Sequence, residues 1–172
     1  MGEEETTDAE KSVVKNVARL TAATADERAD AAELLCRAGT AAAVAAVPLV
    51  KACGDDDDGV REWVVAALEE LGPPPKTDVP ALDTLAGESN PLVAYWAITL
   101  LGRSGPDAAA AAKVLAGCLE SADPAVAQRA AWALGRIGPG ASVGRGPLER
   151  AAAAADPRLA RLAAEALIAI GP

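Results

Sequence analysis

The side chains able to do chemistry are few and unevenly chosen. Histidine is absent, and the three cysteines, Cys36, Cys53 and Cys118, stand far apart with no Cys-x-x-Cys pair. A nucleophilic thiol wants a neighbouring base, and a structural metal wants clustered thiolates or imidazoles. A scattered, odd number of cysteines reads instead as small apolar filler in a reducing, cytoplasmic setting. The densest acidic cluster is GDDDDG, residues 54–59. A calcium loop needs alternating acids, a glycine in sixth place and a later glutamate. Here Gly54 stands where the first ligand would be, so the run reads as a solvated turn and helix cap. The expected catalytic, metal-binding and cofactor-binding residues are therefore none.

Aromatic and basic side chains remain. Trp63 and Trp96 are 33 residues apart, Tyr95 precedes Trp96, and Trp132 lies three positions beyond the same column in the next period. Residues about one turn apart share a helix flank. Such a strip either meets a partner peptide or helix or fills gaps between alanine-rich neighbours, and packing carries the greater weight. Arg37, Arg103 and Arg136 share a second column, interrupted by Glu70. They read either as an anion-facing row or, more plainly, as charges favourable at helix C-termini. Lys51, Lys113 and Arg150 complete the possible partner-binding set with Trp63, Tyr95, Trp96 and Trp132.

The elements that must position these residues repeat every 33 residues. The stretch DPAVAQRAAWALGRIG, residues 123–138, is a helix with its own start and stop signals. Asp123 can cap it, Pro124 suits its first turn, and Gly138-Pro139 ends it. Val126, Ala130, Ala133, Leu134 and Ile137 form its apolar stripe. The cap column is Asp57, Asn90, Asp123 and Asp156, and the first apolar column is Val60, Val93, Val126 and Leu159. Leu35, Leu68, Leu101, Leu134 and Leu167 form an unbroken leucine column, and Gly39, Gly72, Gly105, Gly138 and Gly171 a glycine column, for which a left-handed cap is the expected reason. A second set, Leu49, Leu82, Leu115 and Leu148, marks a shorter second helix in each period. Those helices are expected over 47–53, 79–86, 108–119 and 147–155. The stretches 73–80 and 138–147 are expected to be a stiff extended connection and its glycine-rich counterpart.

A two-helix unit of this size cannot bury its own apolar face, so copies must stack. The reading is a disordered tail over 1–7 and a single repeat domain over 8–172. That domain has a capping helix at 8–21, repeats at 24–56, 57–89, 90–122 and 123–155, and a partial repeat at 156–172. Within the capping helix, Val13, Val14, Val17 and Leu20 are the expected apolar side, while Asn16 occupies the leucine column. The chain is 51% hydrophobic but only 2% aromatic, with no Phe, which fits packed helices and disfavours a β fold. It has no run of about 18 uncharged apolar residues, so no membrane partner is expected. Residues 1–90 carry 19 acidic and 8 basic side chains (−11), and residues 91–172 carry 6 and 8 (+2). Nucleic-acid binding wants a basic track, so it is not expected either.

The repeats DPAVAQRAAWALGRIG, NPLVAYWAITLLGRSG and DPRLARLAAEALIAIG resemble HEAT repeats, most closely the short bacterial type grouped with phycobilin lyases. The resemblance spans residues 25–172. It implies an all-α, right-handed α-α superhelix, a HEAT-like solenoid, in a superfamily of scaffolds, adaptors, bilin lyases and, in a basic branch, DNA glycosylases. It also implies that the second helices line the inner curve, with Val47, Val50, Lys51, Asp83, Lys113, Ala116, Glu149 and Arg150 among their non-core positions. The family's bridging arginine is kept at Arg28 and Arg61 but replaced at Ala94, Ala127 and Ala160, so polar links between repeats are expected to fail in the C-terminal half. The function these readings favour is a non-enzymatic scaffold or adaptor that binds another protein or peptide. The alternative is a bilin-lyase-like or other chromophore-handling enzyme.

Overall fold

The computed structural model describes residues 8–172, so the tail expected over 1–7 lies outside the described residues. Helix follows helix throughout, with no strand among the described residues. The chain divides into two compact units, Met1–Gly72 and Pro73–Pro172. The boundary falls at Pro73-Pro74-Pro75, where three residues in succession have no backbone N–H to donate.

The first unit contains α1 (Asp8–Arg19), α2 (Ala25–Ala38), a 3-10 segment (Gly39–Ala45), α3 (Ala46–Ala52) and α4 (Asp58–Glu70). Thr24 caps α2, its Oγ1 accepting from the Glu27 backbone N–H at 3.3 Å and donating to the Glu27 carboxylate at 2.8 Å. Glu27, which interrupts the valine column, is thus spent on the cap. Val13 and Asn16 of α1, and Leu20 just after it, face the core, whereas Val14 is 64% exposed. Asn16 lies in the leucine register, and its Oδ1 accepts from Arg19 at 3.2 Å. Val14 belongs outside the expected apolar side because it is rotated roughly a quarter turn from that face. Pro48 falls in the first turn of α3, where no N–H partner is needed. By length and composition Ala25–Ala52 is apolar enough to cross a membrane. It is broken at Gly39, and its Leu35, Ala42, Ala46 and Leu49 are buried within this unit.

The second unit alternates long and short helices: α5 (Val79–Ala86), α6 (Pro91–Ser104), α7 (Ala112–Cys118), α8 (Pro124–Ile137), α9 (Arg145–Ala152) and α10 (Pro157–Ile170). The first helices α6, α8 and α10 pack on one another in a row, and the short helices pack behind them. The connections over 105–111 and 138–144 are 3-10 turns, not extended or irregular chain. For that reason α7 begins at Ala112, later than expected, after a kink at Ala108, while α9 begins early, at Arg145. The connection after Pro75 likewise carries a short 3-10 turn, Lys76–Asp78.

The column logic holds at the level of burial. Leu49, Leu68, Leu82, Leu101, Leu115, Leu134 and Leu148 are fully buried, each burial stabilising by roughly 1.5–3 kcal/mol. Leu167 departs from its column and is only half-buried: among the described residues α10 packs on α8 and α9, with no helix following it in the row. The glycine column also splits. Gly39, Gly105, Gly138 and Gly171 have positive φ, but Gly72 does not. At the four, ψ is near −130° to −170°, so they occupy the region open essentially to glycine alone, not the left-handed helical cap the sequence suggested. At α4 the helix ends instead on extended Leu71.

Candidate functional site

The expected partner-binding residues fall in separate places. Trp63, 40% exposed, and Lys51 lie in the first unit. Lys51 stands at the rim of a hollow of about 550 Å³ lined by Val17, Leu20, Val47 and Pro48. Lys113 is exposed on α7, and Arg150 on α9 bonds Glu120 at 2.8 Å. Of the second-helix positions read as non-core, Val50 and Ala116 are buried, a correction: each directly follows a buried column leucine, Leu49 or Leu115, and the packed face of these helices is wide enough to take it in.

Tyr95, Trp96 and Trp132 come together on the first-helix row of the second unit. Trp96 is only 6% exposed and meets Tyr95 edge-on with ring centroids 5.7 Å apart. It is packing and not available surface. Trp132 on α8 lies across Gly102 of α6, where a side chain would collide with the indole. Between Tyr95 and Trp132 sits Arg129, whose guanidinium carbon is 4.6 Å from the tyrosine centroid and 5.1 Å from the tryptophan ring. The guanidinium also donates to the Tyr95 hydroxyl. Arg129, missed by the sequence reading, occupies the very column of Trp63 and Trp96, so the register held the signal and the change of residue type concealed it.

Around this stack is a hollow of about 150 Å³ lined by Tyr95, Gln128, Arg129, Trp132, Arg158 and Leu162. Tyr95 and Ala125 also line the next hollow, of about 440 Å³, with Pro91, Leu92 and Asp123. The two form one groove across the N-terminal turns of α6, α8 and α10. Gln128 donates to Asp156 Oδ2 at 2.6 Å, tying α8 to the cap of α10. The expected loss of polar links in the C-terminal half is therefore corrected: one residue past the lost arginine column, Gln128 makes the link. That bond, helped by the backbone N–H groups of Leu159 and Arg158, holds the Asp156 carboxyl below its ordinary range. In the first unit Arg28 makes the corresponding link, bidentate to Asp55 at 2.6 and 2.9 Å. Arg61 turns back to the Asp55 carbonyl and to Asp58, so it closes its own helix start instead of bridging repeats. Asp57 caps α4, and the acidic run thus serves as cap and ion-pair partner.

The thiols are poor nucleophiles. Burial pushes Cys53 up to about 12. Burial raises Cys36 as well, with Glu70 and Glu33 adding to it. Cys118, also raised by burial, donates to the Ala86 carbonyl at 3.3 Å.

Paired helices repeated in register, with first helices in one row and leucine columns buried between copies, define a helical-repeat protein. The family model described as HEAT repeats matches residues 79–169, more than half of the chain. The chain belongs to the HEAT-repeat family. No curated protein matches it. Among solved structures, an engineered protein is similar at TM-score 0.67 and 24% identity, over 95% of this chain and 79% of its own. A designed armadillo repeat protein in complex with the peptide (KR)4 is similar at TM-score 0.65 and 17% identity, over 94% of this chain and 85% of its own. The complex of CpcE and CpcF of phycocyanin lyase from Nostoc sp. PCC7120 is similar at TM-score 0.60 and 16% identity, over 91% of this chain and 98% of that one. At these identities the likeness is one of fold, that of a helical-repeat protein.

Proposed function

We propose that this protein is a non-enzymatic scaffold or adaptor that binds another polypeptide along the first-helix row of its second unit. The observation that carries the reading is the groove across α6, α8 and α10, where Tyr95, Arg129 and Trp132 form one stacked, partly exposed surface. Aromatic and arginine side chains are the types that dominate binding energy at protein interfaces. The designed armadillo protein holding a peptide and the paired lyase subunits support a polypeptide partner. The raised thiols and the absence of histidine favour binding over acid–base or nucleophilic chemistry. The unpaired Cys36, Cys53 and Cys118 support a reducing, cytoplasmic setting.

The test is selection of displayed peptides against the whole chain, followed by titration against a Tyr95→Ala/Trp132→Ala variant. Selected peptides should lose at least about tenfold in affinity on the variant, the size of one interface hot spot. Peptides that bind the variant equally well overturn the assignment of this face. The likeness to phycocyanin lyase favours one second reading, chromophore handling. Incubation with a bilin would show it as a shifted absorbance band.

A further inference from the structure

The groove has a chemical preference that can be read from its charges. Arg129 is half-buried, with its guanidinium carbon 4.6 Å from the Tyr95 ring centroid and 5.1 Å from that of Trp132. Contacts of this kind to ring faces leave N–H donors of the guanidinium fork able to bond. One donor reaches the Tyr95 hydroxyl. No described carboxylate forms an ion pair with Arg129, nor with Arg158 on the far wall of the same hollow. Of the two capping carboxylates at the groove, Asp123 and Asp156, the one nearer Arg158 is Asp156, which already accepts three hydrogen bonds. Its Oδ1 accepts from the backbone N–H groups of Arg158 at 2.9 Å and Leu159 at 3.2 Å, and its Oδ2 accepts from Gln128. A planar carboxylate is the acceptor that a guanidinium fork matches best.

The neighbouring hollow differs in character. Pro91, Leu92 and Ala125 line it together with Asp123, whose Oδ1 accepts from the backbone N–H groups of Ala125 at 2.8 Å and Val126 at 3.1 Å, and it joins the cationic one at Tyr95 and Ala125. A ligand that seats an apolar side chain in this neighbouring hollow can direct an adjacent acidic side chain toward Arg129.

Resting on the proposed binding face, we infer that this groove is a carboxylate socket for an acidic peptide segment, one that pairs an apolar residue with an adjacent Glu or Asp. The carboxylate bonds the edge of Arg129, and Arg158 supplies a second positive charge. The Tyr95 and Trp132 rings hold the guanidinium plane in place before the ligand arrives, which lowers the ordering cost of binding.

The test is an NMR titration of the full chain, isotope-labelled, with acetyl-Leu-Glu-amide and acetyl-Leu-Gln-amide. The glutamate peptide should shift the Arg129 Nε–H and Trp132 indole N–H signals, with apparent affinity at least about tenfold above that of the glutamine peptide, as for a charge-assisted pair. Arg129→Gln should abolish the difference. Arg158→Gln, at an exposed side chain, should shrink it while keeping the backbone N–H bond that caps α10 at Asp156. Equal shifts with both peptides, or shifts confined to other residues, overturn the socket. Display-selected peptides separate the two claims. Peptides lost on Tyr95→Ala/Trp132→Ala but indifferent to Arg129→Gln and Arg158→Gln keep the face and overturn the socket. Peptides indifferent to all of these variants overturn both. A phosphorylated peptide that outcompetes the glutamate one by a similar factor also overturns the carboxylate assignment.

Discussion

Gly102 on α6 and Trp132 on α8 occupy complementary halves of one contact: a Cβ on Gly102 would lie 2.9 Å from both Cε3 and Cη2 of the Trp132 indole. Those distances are closer than real Cβ contacts, so the glycine is what admits the ring. Because Trp132 also forms one wall of the Arg129 stack, the same glycine positions the binding groove. Gly102→Ala should cost about 1–3 kcal/mol, the usual penalty for overpacking a filled site. It should also move Trp132 fluorescence. Adding Trp132→Leu to Gly102→Ala should recover part of the loss, a coupling that denaturant unfolding of the four-member cycle would measure. Additive losses would mean that the ring shifts aside freely.

The leucine column offers an internal control on what burial is worth. Leu134 is fully enclosed, with Gly144 so close that a Cβ there would sit 3.2 Å from one of its methyl groups. Leu134→Ala should therefore destabilise by about 2–5 kcal/mol through loss of transfer energy and an uncollapsed cavity. Leu167, one period later and half-buried, should lose less than half as much on the same substitution. Equal losses in urea unfolding would show that exposure at α10 does not matter to its packing.

Much of this was legible in the residues because a strict period makes each copy a check on the others. The caps at Asp57, Asn90, Asp123 and Asp156 and the buried columns at Leu49, Leu82, Leu115 and Leu148 were all readable in this way. What was not legible depends on facts outside any single column. The 3-10 turns after Gly105 and Gly138 satisfy backbone bonds locally and leave no hydrophobic periodicity to read. Arg129 stood in the tryptophan column, but its placement between Tyr95 and Trp132 depends on how far apart α6 and α8 lie, which Gly102 helps to set. Trp96 and Trp132 look alike on helical spacing alone, and only the packing of the neighbouring helix separates the buried ring from the half-buried one.

The split glycine column makes a paired prediction. Gly105 has φ of +57° and ψ of −134°, so a β-branched residue there is strained whatever space surrounds it. Gly105→Val should lower the melting temperature, with backbone strain on the order of 1–3 kcal/mol. Gly72 has no positive φ, and a Cβ there would meet Thr40 at an ordinary 3.8 Å. Gly72→Ala should therefore leave the melting temperature within experimental error, although the two glycines share one column of the repeat.

Acid should loosen the first unit through Asp55. The Arg28 guanidinium, bonded to it at 2.6 and 2.9 Å, holds the Asp55 carboxyl below its ordinary value of 3.8. The folded chain therefore binds the Asp55 proton less readily than the unfolded chain. The pair's contribution is complete above pH 3.8 and is lost as pH falls from there through the lower folded value. Asp156, held down first by Gln128, loses its contribution in the same direction in the second unit. Asp78 and Asp83 act the other way, since burial raises both carboxyls and protonation favours their folded environment. A wild-type acid profile therefore mixes both signs, and a substitution is needed to isolate one. Asp55→Asn should melt lower than wild type at neutral pH, with the difference shrinking as pH drops below about 4, where the wild-type carboxylate begins to protonate. Thermal melts of the two proteins across that range would decide it: a gap that stays constant into acid would mean that Asp55 acts by shape and hydrogen bonding, not by its charge toward Arg28.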